Sequence, residues 1–457
     1  MHITVSIIPA ALLAQIAHGL FLPLANSTKS CESSKEGFHC HREISRTWGA
    51  YTPYYSVAPD YKDPKIDGEC TVTFASVLSR HAARYPTKSI GDKMKATIDK
   101  IKASAKSYSA KTTFIKNFNY DLAPNYEQLT EFGKQEMHNS GIKFFHRYSH
   151  LTKTDDPFIR VSGQQRVIDS GAFFTAGYLE EKTKANKSPA KPLPPPVVVT
   201  EGKTFNNTLD HGTCREFESG RFSKTNKDPL VQYKAIFTPP IVKRLNADLP
   251  GASLTSDDAI NLMTLCPFYT VINGFTLSEF CTLFAADEFK QFNYYQTLSK
   301  YYRYADGNPL GPTQGVGYVN ELIGRLTKSE VKDATSTNKT VIGPVDRKLY
   351  ADFSHDNTMV SVFAALQLFK GVPTLSTQRI EATDKFNLAD LVPFASRMYV
   401  EKLQCKGQKD ELVRVLINDR VMKLQCPEKK YGGCSVTDFV NGLEFARKGG
   451  NWDQCGK

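Results

Sequence analysis

The sequence predicts an α/β sheet domain that carries a mainly helical inserted domain. Strand-like segments alternate with helical ones in the first and last thirds of the chain, whereas the middle third has helical periodicity. Polar clusters follow three of the predicted strands, and open α/β sheets bind ligands at the carboxyl ends of their strands. We therefore expect a sheet domain from residues 26–205 and 335–457 and a mainly helical domain from residues 206–334.

Size and composition fit a globular protein with a surplus of positive charge. The 457 residues are enough for about two to four domains of ordinary size. The chain is 40% hydrophobic and 23% charged, and its 29 Gly and 24 Pro are too few for a collagenous or low-complexity protein. The net charge of +11 favours an anionic partner without distinguishing nucleic acid, a membrane surface and a small polyanion.

The amino-terminal segment indicates secretion. Residues 3–24 contain no Lys, Arg, Asp or Glu, and Ala17, Gly19 and Ala25 offer small residues for cleavage, so residues 1–25 are predicted to be a signal peptide. An uncleaved membrane anchor is the alternative, because the stretch is long enough to span a bilayer and no Lys or Arg precedes it. Four sequons fit a glycosylating secretory route, at Asn26, Asn186, Asn206 and Asn338.

Ten cysteines, an even number, predict a disulfide framework in an oxidising compartment. Short spacings indicate three of the pairs, Cys31 with Cys40, Cys266 with Cys281, and Cys426 with Cys434. Spacing leaves the other four cysteines unassigned. No two cysteines are two or three residues apart, so a zinc site is disfavoured and no metal is expected.

The first third of the chain predicts two strands, each with an arginine near its end. Residues 71–79 are β-branched and apolar, as in a buried strand, and run directly into the cluster of residues 80–87, RHAARYPT. Residues 91–105 have the pattern of a solvated amphipathic helix. Residues 157–161 form the second predicted strand, with Arg160 at its end, and Ser162 is expected to open the helix that follows.

The remaining elements follow from prolines, periodicity and turn residues. A proline-rich connector at 186–196 leads into a short strand, because proline removes a helix donor. The glycine cluster at 307–317 lacks the Gly-Lys-Ser/Thr ending of a nucleotide-binding loop, so we interpret it as a loop or the start of a helix. Residues 347–354 predict a strand that runs into His355 and Asp356 and then an apolar helix, and a late β-hairpin follows.

Arginines beside a histidine are suited to phosphoryl chemistry. Guanidinium groups bind phosphate oxygens in pairs and stay charged at any relevant pH. The imidazole of His81 can attack phosphorus and hold it covalently, which divides a difficult hydrolysis into two displacements. A carboxyl group such as that of Asp356 can supply the proton that the leaving alkoxide needs.

Two other interpretations of these residues exist. Asp356 or Asn357 can simply cap the helix that begins near Thr358, a common role for such residues after a strand. Cys40 and Arg46 have the Cys-x5-Arg spacing of tyrosine phosphatases. That segment lacks the glycines of a phosphate-binding loop, and a cysteine in a secreted chain is expected to be oxidised.

Four ordered blocks of sequence resemble the histidine acid phosphatase family, and most closely the fungal phytases. The blocks are VLSRHAARYPT, FIRVSGQQRV, NPLGPTQGVGYVNELIGRL and ADFSHDNTMVSVF, which lie between about residues 70 and 365. The family signature is Arg-His-Gly-x-Arg-x-Pro near the amino end and His-Asp near the carboxyl end. The resemblance implies an α/β domain with an α domain and catalysis without metal or cofactor.

The resemblance also implies roles for individual residues. His81 would be the nucleophile and Asp356 the proton donor. The implied phosphate-binding residues are Arg80, Arg84, Arg160 and His355, and the implied substrate-rim residues are Lys93 and Lys300. The two remaining disulfides would join Cys70 to Cys405 and Cys214 to Cys455. The expected partner is a small phosphorylated substrate, with no nucleic acid and no membrane after signal removal. The protein itself is expected to be a monomer that is secreted to the medium or the cell wall.

The sequence departs from the family pattern in two ways. Ala82 replaces the glycine after the nucleophile, and an added methyl group can narrow the pocket or tilt the loop. At the rim, Ile90 and Ser299 occupy positions near the lysines of fungal phytases, and Thr264 and Tyr269 stand where acidic residues are usual. The Ala82 departure bears on activity, which is still expected, and the second set bears on selectivity and pH profile.

Three functions are therefore compared. The first is a secreted acid phosphatase that acts on phytate, and the second is a broad acid phosphatase of the same fold. The third, from another class, is a polyanion-binding glycoprotein that has lost turnover through Ala82. A phosphoglycerate-mutase-like activity uses similar Arg-His chemistry, but the signal peptide and the cysteines argue against an intracellular role.

Overall fold

The computed structural model describes residues 31–58, 68–274, 276–338, 341–381 and 386–456. The predicted signal peptide, its anchor alternative and the Asn26 sequon lie outside these residues. Within the described residues, no helix has both the length and the apolar character needed to cross a bilayer.

Eight strands form one mixed sheet, in the order β3-β2-β4-β1-β5-β6-β7, with β8 paired to β6. The strands are β1 (Cys70–Arg80), β2 (Phe158–Ser162), β3 (Val197–Val199), β4 (Leu349–Ser354), β5 (Arg397–Cys405), β6 (Leu412–Ile417), β7 (Arg420–Val421) and β8 (Cys434–Ser435). The predicted strands and the late hairpin, formed by β5 and β6, are confirmed.

Parallel pairing brings the functional segments to one edge of the sheet. Strands β3, β2, β4 and β1 are parallel, whereas β5 and β6 continue the sheet antiparallel. In the β1–β4 register Arg80 lies opposite Ser354. The next residues on the two strands, His81 and His355, therefore leave the sheet side by side at the carboxyl edge.

Among the described residues, eight long helices surround the sheet or form the middle of the chain. They are α1 (Lys88–Ser104), α2 (Glu131–Arg147), α3 (Gln165–Asn186), α4 (Lys227–Asp248), α5 (Ser256–Ile272), α6 (Ala286–Tyr304), α7 (Val316–Thr327) and α8 (Asp356–Ala365). Short α-helices span Arg42–Ser45, Thr113–Asn117, Ser149–Thr152, Arg215–Glu218, Leu388–Leu391, Val436–Gly442 and Glu444–Arg447. Short 3-10 helices span Gly49–Tyr51, Ala123–Asn125, Glu279–Leu283, Pro312–Gly315 and Trp452–Cys455.

Two predictions about these helices have different outcomes. In α1 the apolar face of Met94, Ile98 and Ile101 is buried, as the periodicity predicts. The expectation that Ser162 opens the next helix is wrong: Ser162 is the last residue of β2, and α3 begins at Gln165. Ser162 pairs with β3 in the parallel ladder, which keeps it extended.

Helices α2 and α3 pack closely against each other beside the sheet. A Cβ atom at Gly141 of α2 would lie 2.0 Å from the carbonyl oxygen of Phe174, and one at Gly177 of α3 would lie 2.0 Å from that of His138. Glycine at these two positions therefore lets the helix backbones approach to a distance that no other residue permits. Their buried side chains share a core with the sheet residues Val161 and Phe353.

The middle of the chain is helical, as predicted. The secondary structure assigned to the described residues of 206–334 consists of α-helices and 3-10 helices, without a strand. One apolar core contains side chains from these helices, such as Leu262 and Phe289, together with Phe74 and Val400 of the sheet. The division into two domains at these boundaries stays a prediction.

All ten cysteines form disulfides, in the five predicted pairs. Cys70 and Cys405 lie opposite each other in the β1–β5 register, so this disulfide crosses two neighbouring strands of the sheet. Cys40 is bonded to Cys31, which removes the thiolate that a tyrosine-phosphatase mechanism requires.

Candidate active site

A cavity of about 480 Å³ lies at the carboxyl edge of the parallel strands, bordered by helices of the middle segment. Its polar lining combines four cationic side chains, three histidines and three carboxyl groups. These are Arg80, Arg84, Arg166 and Lys300; His81, His211 and His355; and Glu201, Asp210 and Asp356. The predicted residues His81, Asp356, Arg80, Arg84 and His355 are thus brought together.

His81 presents one ring nitrogen to the cavity. Its Nδ1 lies 2.9 Å from the carbonyl oxygen of Ala82. A carbonyl oxygen only accepts hydrogen bonds, so Nδ1 must carry the proton. In the neutral ring Nε2 then holds the free electron pair, which is the form required of a nucleophile.

The electrostatic surroundings keep His81 neutral. Burial, together with the charges of Arg80, Arg84 and Arg166 and the neighbouring His355, holds the pKa of His81 well below its usual value. The two histidine rings have centroids 5.6 Å apart. The nucleophilic form therefore persists into acidic solution.

The backbone around His81 is fixed on both sides. The His81 N–H donates to Ser354 O at 3.1 Å, and its carbonyl accepts from Ala395 N at 3.0 Å. The Ala82 N–H donates to the hydroxyl of Ser170 at 3.1 Å. The loop that carries the nucleophile thus belongs to the rigid edge of the sheet.

Arg80 is anchored from behind by backbone groups. Its Nη1 donates to the carbonyl oxygens of Ala50 and Val392, the latter at 2.8 Å. Its guanidinium lies over the ring of Phe394, 4.6 Å from the centroid. Held in this way, Arg80 keeps Nη2 within 3.5 Å of Asp356 in the cavity.

Arg84 and Arg166 add two more guanidinium groups. Arg84 donates to Tyr85 O at 2.8 Å, and burial with the nearby charges of Arg166 and Arg80 lowers its pKa to about 10. Arg166 lies in the first turn of α3 and pairs with Glu127 at 3.2 Å. Three mutually repelling guanidinium groups at one cavity make a strong site for a phosphoryl dianion.

Asp356 is ionised and paired in the free site. Its Oδ2 lies 2.8 Å from Lys300 Nζ and 3.5 Å from Arg80 Nη2. Burial alone would raise the pKa of Asp356, but Lys300 and Arg80 outweigh it and hold the pKa well below its usual value. Asp356 is the first residue of α8 and its Oδ1 accepts from the Asn357 N–H at 3.0 Å, so the side chain contacts one N–H of the helix end while Oδ2 faces the two cations.

His355 is oriented by a carboxylate. Its Nε2 donates to Glu201 Oε1 at 2.8 Å. Although burial opposes it, this hydrogen bond and the charge of His355 lower the pKa of Glu201 to about 2. Glu201 also accepts from the Gln164 N–H at 3.2 Å, so it ties the start of α3 to His355.

Arg160 does not reach the cavity, and its prediction as a phosphate-binding residue is corrected. The β2 strand continues to Ser162, so Arg160 lies inside the sheet rather than at its end. It faces Asp352 in the register of β2 with β4, bonds to it at 2.7 Å, and pairs with Glu321 at 2.9 Å. Its side chain has no exposed surface, and Arg166 occupies the position expected of it.

The predicted rim residues divide into two groups. Lys300 lies inside the cavity and bonds to Asp356 and Asn357, and Ile90 and Ser299 line its wall. Lys93 is exposed on α1 and does not line the cavity. Its contact with a larger substrate stays a prediction.

Thr264 and Tyr269 lie away from the cavity. The Thr264 hydroxyl donates to Ile260 O at 2.7 Å within α5, and Tyr269 packs edge-on against Phe118. Both residues are buried. The acidic residues expected at these positions in the family are therefore replaced by side chains that pack within the helical segment.

Ala82 adopts an ordinary backbone conformation. It is absent from the non-glycine residues with positive φ, and its methyl group is fully buried in the core shared by α2, α3 and the sheet. The loop therefore does not need glycine for a left-handed conformation. The methyl group of Ala82 therefore causes no backbone strain of the kind that a left-handed conformation would impose.

The sequence analysis did not identify four residues that line the cavity, Arg166, Glu201, Asp210 and His211. Arg166 was within reach, because it lies in the first turn of the helix that follows β2. Glu201 follows the short strand β3, and Asp210 and His211 follow it after a loop. Their positions at the cavity depend on the pairing of β3 with β2, which the chain order does not fix.

Comparisons with known proteins agree with this geometry. Residues 71–418 match the family model described as histidine phosphatase superfamily, branch 2. Phytase A of Aspergillus oryzae is 47% identical over 93% of this chain and 94% of that protein, and Phytase A of Aspergillus awamori is 44% identical over the whole of both.

Solved structures show the same fold. The phytase from D. castellii has a TM-score of 0.72 at 21% identity and covers 91% of this chain and 88% of that one. The multiple inositol polyphosphate phosphatase of Bifidobacterium longum, solved with inositol hexasulfate, has a TM-score of 0.64 at 14% identity over 87% and 97% of the two chains. The expected fold, an α/β sheet with a helical segment, is confirmed, and the chain belongs to branch 2 of the histidine phosphatase superfamily.

Proposed function

We propose that this chain is a secreted acid phosphatase that hydrolyses the phosphomonoesters of phytate through a phosphohistidine at His81. The observation that carries the proposal is the state of His81. Its Nδ1–H is bound to Ala82 O, and its Nε2 faces a cavity lined by three arginines. A neutral imidazole directed at a cationic cavity is suited to attack on a phosphoryl group.

In the first step Nε2 of His81 forms a bond to phosphorus as the bond to the ester oxygen breaks. Arg80, Arg84 and Arg166 bind the phosphoryl oxygens and neutralise the charge that they carry in the transition state. The bonds of Arg80 to Ala50 and Val392 fix its guanidinium before substrate arrives. Little reorganisation is then needed during the reaction.

Asp356 supplies the proton to the departing alkoxide. In the free site it is ionised, because Lys300 and Arg80 stabilise its charge. A bound phosphoryl dianion competes for the same cations and adds negative charge beside the carboxyl group, and both effects raise its pKa. Substrate binding at acidic pH therefore loads the donor.

In the second step water attacks the phosphohistidine. The water oxygen bonds to phosphorus as the bond between phosphorus and Nε2 breaks, the Asp356 carboxylate accepts a proton from the water, and Nε2 regains its electron pair as inorganic phosphate leaves. The two steps return Asp356 to its protonated state and His81 to its neutral state. No cofactor is required for this cycle.

The expected substrate is a small phosphorylated molecule, not a nucleic acid. The reactive nitrogen lies in a recessed cavity of about 480 Å³. Inositol phosphates are supported by the Phytase A relatives, and the five disulfides support an extracellular enzyme. We further propose that it acts as a monomer in the medium or at the cell wall.

A broad acid phosphatase is the second candidate. Part of the cavity wall is uncharged, with Ile90, Leu230, Tyr295 and Ser299 beside the cationic centre. Such a wall gives less attraction to the remaining phosphates of phytate than lysines would. It also accepts esters of apolar alcohols.

The deciding experiment compares phosphate release from phytate with release from 4-nitrophenyl phosphate, at equal enzyme and acidic pH. A higher kcat/KM on phytate supports the phytase proposal. A higher kcat/KM on 4-nitrophenyl phosphate favours the broad phosphatase. Binding of phytate without release of phosphate from either ester would favour the polyanion-binding protein.

We expect Ala82→Gly to leave kcat/KM within about threefold, because the backbone at this position is not left-handed. The variant loses a buried methyl group and gains chain entropy in the unfolded state, so its free energy of unfolding should fall by roughly 0.5–1 kcal/mol. Parallel phytate assays and urea unfolding measure the two effects. A tenfold rise in kcat/KM would contradict this view of the loop.

The pH profile should depend on Arg166. Its positive charge helps to hold the pKa of His81 low, so Arg166→Gln should raise that pKa. Neutral His81 would then be lost at a higher pH, and the acid limb of kcat/KM should move upward by about 0.5–1 pH unit. Arg379→Gln, whose side chain is 80% exposed, is the control and should leave the limb in place. A limb that moves downward in the Arg166 variant would contradict the assignment.

A further inference from the structure

One peptide group joins a buried carboxyl group to the nucleophile. Glu136 lies on α2 and is fully buried, and its Oε2 accepts a hydrogen bond from the Ala83 N–H at 2.9 Å. The carbonyl of the same peptide unit, Ala82 O, accepts from Nδ1 of His81 at 2.9 Å. The order of contacts is therefore carboxyl, peptide N–H, peptide C=O and imidazole.

A trans peptide unit is suited to transmit such a contact. Its N–H and C=O point in opposite directions, and resonance couples the two groups. A hydrogen bond accepted from the N–H makes the carbonyl oxygen a stronger acceptor, and such cooperativity amounts to about 10–30% per bond. The carboxyl group of Glu136 thus acts on His81 without touching it.

We propose that Glu136 is a positioning residue for phosphoryl transfer, which fixes the Nδ1–H tautomer of His81 and stabilises positive charge on its ring through the Ala82–Ala83 peptide. The inference rests on the proposed function, since it assigns a role within that reaction. A histidine oriented by a carboxylate is a common device, and here one peptide group lies between the two.

Both oxygens of Glu136 are committed as acceptors. Oε1 accepts from the Tyr54 N–H at 2.7 Å while Oε2 accepts from Ala83. A glutamine at this position has one acceptor oxygen, and its NH₂ group would face the second N–H. The site is therefore matched to a carboxyl group.

The start of helix α2 and its N-cap residue Thr130 contact the next peptide group of the loop, between Ala83 and Arg84. The Thr130 N–H donates to Ala83 O at 3.1 Å, and a Cβ atom at Gly133 would lie only 1.9 Å from that oxygen. The helix backbone is thus pressed against the loop. Glu136 projects from the next turn of the helix to the loop that follows the nucleophile.

The charges around Glu136 come from three elements. Burial raises its pKa to about 7, against the two backbone hydrogen bonds and the charges of Arg397 and Arg80. Burial, with the charge of Glu136 as a further cause, raises the pKa of Glu32, a second buried carboxyl group. The oxygen that faces Ala83 accepts its hydrogen bond in either protonation state, and more strongly when ionised.

The chain of hydrogen bonds from Glu136 through the Ala82–Ala83 peptide to His81, here called the relay, should matter most after His81 begins to react. Bonding of Nε2 to phosphorus leaves positive charge on the ring, which makes Nδ1–H a stronger donor to Ala82 O. An interaction that strengthens along the reaction raises kcat more than it lowers KM. Loss of Glu136 should therefore appear mainly in kcat.

The test compares Glu136→Gln with wild-type protein by kinetics and by ¹⁵N NMR of histidine-labelled enzyme, the His81 signal being the one lost in His81→Ala. We expect kcat to fall about 10–100-fold, as for outer-shell partners of histidine ligands, with KM changed less than threefold. The His81 ¹⁵N shifts should move from the Nδ1–H tautomer toward a mixture of tautomers. Glu401→Gln is the control, since Glu401 is an equally buried carboxylate paired with Arg147 and Arg414. It should lower the melting temperature and leave both readouts unchanged.

Two results would overturn the inference. One is Glu136→Gln with wild-type kcat and an unchanged tautomer. The other needs no variant: a wild-type His81 that is protonated at Nε2 instead of Nδ1 removes the relay, even if the variant does not fold. Because the tautomer is measured without phytate, wild-type protein that lacks phosphatase activity would refute the proposed function separately.

Discussion

His81→Ala should abolish phosphate release from both phytate and 4-nitrophenyl phosphate. Three histidines line the cavity among the described residues. Of these, His81 is the one whose Nδ1 bonds to a backbone carbonyl, which leaves Nε2 free to react. Loss of a covalent nucleophile lowers kcat by roughly 10⁴–10⁶-fold in comparable enzymes. The fold should persist, because His81 is held through its backbone by Ser354 and Ala395.

Trapping links this loss to the covalent step. Wild-type enzyme mixed with ³²P-labelled substrate should yield an acid-labile, base-stable label on the peptide that contains His81. His146→Ala is the matched control, because its side chain is 62% exposed, and it should retain full activity and labelling. Label on another residue, or turnover in the His81 variant, would refute the phosphohistidine mechanism.

The central pair of the site follows from the chain itself. Residues 71–79 have a strand pattern that is followed by Arg80 and His81, and residues 347–354 have one that is followed by His355. Parallel neighbours in one sheet place such ends together, and the register of Arg80 with Ser354 does so here. Position after a strand, joined to the type of residue, made His81 and Asp356 candidates, and the resemblance to the family implied their proposed roles.

The third arginine shows where this reasoning fails. Arg160 and Arg166 are six residues apart, and the choice between them depends on where β2 ends. Ser162 extends the strand by pairing with β3, which the local pattern did not predict. Strand β2 continues for two residues after Arg160. Arg160 is therefore buried in the sheet, where it pairs with Asp352 and Glu321.

Residues that act through long-range packing had no sequence signal at all. Glu136 is one acidic residue in a helix that has polar residues on both sides of it. Its role depends on how closely α2 approaches the loop of residues 82–84, and the glycine at position 133 permits that approach. Periodicity predicts which face of a helix is buried, but not which backbone groups that face meets.

Asp356→Asn should lower kcat on phytate by roughly 10²–10⁴-fold, the range for loss of a general acid. Asparagine keeps the size of the side chain and can still accept from Lys300, so the geometry of the site should be preserved. The loss should be much smaller on 4-nitrophenyl phosphate, because 4-nitrophenolate leaves without a proton. Asp257→Asn, at an exposed carboxylate paired with Lys234, is the matched control and should act as wild type on both esters.

The loss of kcat on phytate, divided by the loss on 4-nitrophenyl phosphate, distinguishes proton donation by Asp356 from the effect of its negative charge. Asp356 also places a negative charge beside Lys300 and Arg80, and removing it leaves those cations freer to bind phosphate. That electrostatic change acts on the reacting phosphoryl group, which both esters present, so it should appear in both assays. Proton donation is different, because it matters only where the alkoxide is a poor leaving group. Equal losses on the two esters would therefore assign Asp356 to the phosphate-binding charge of the site and remove it as the donor.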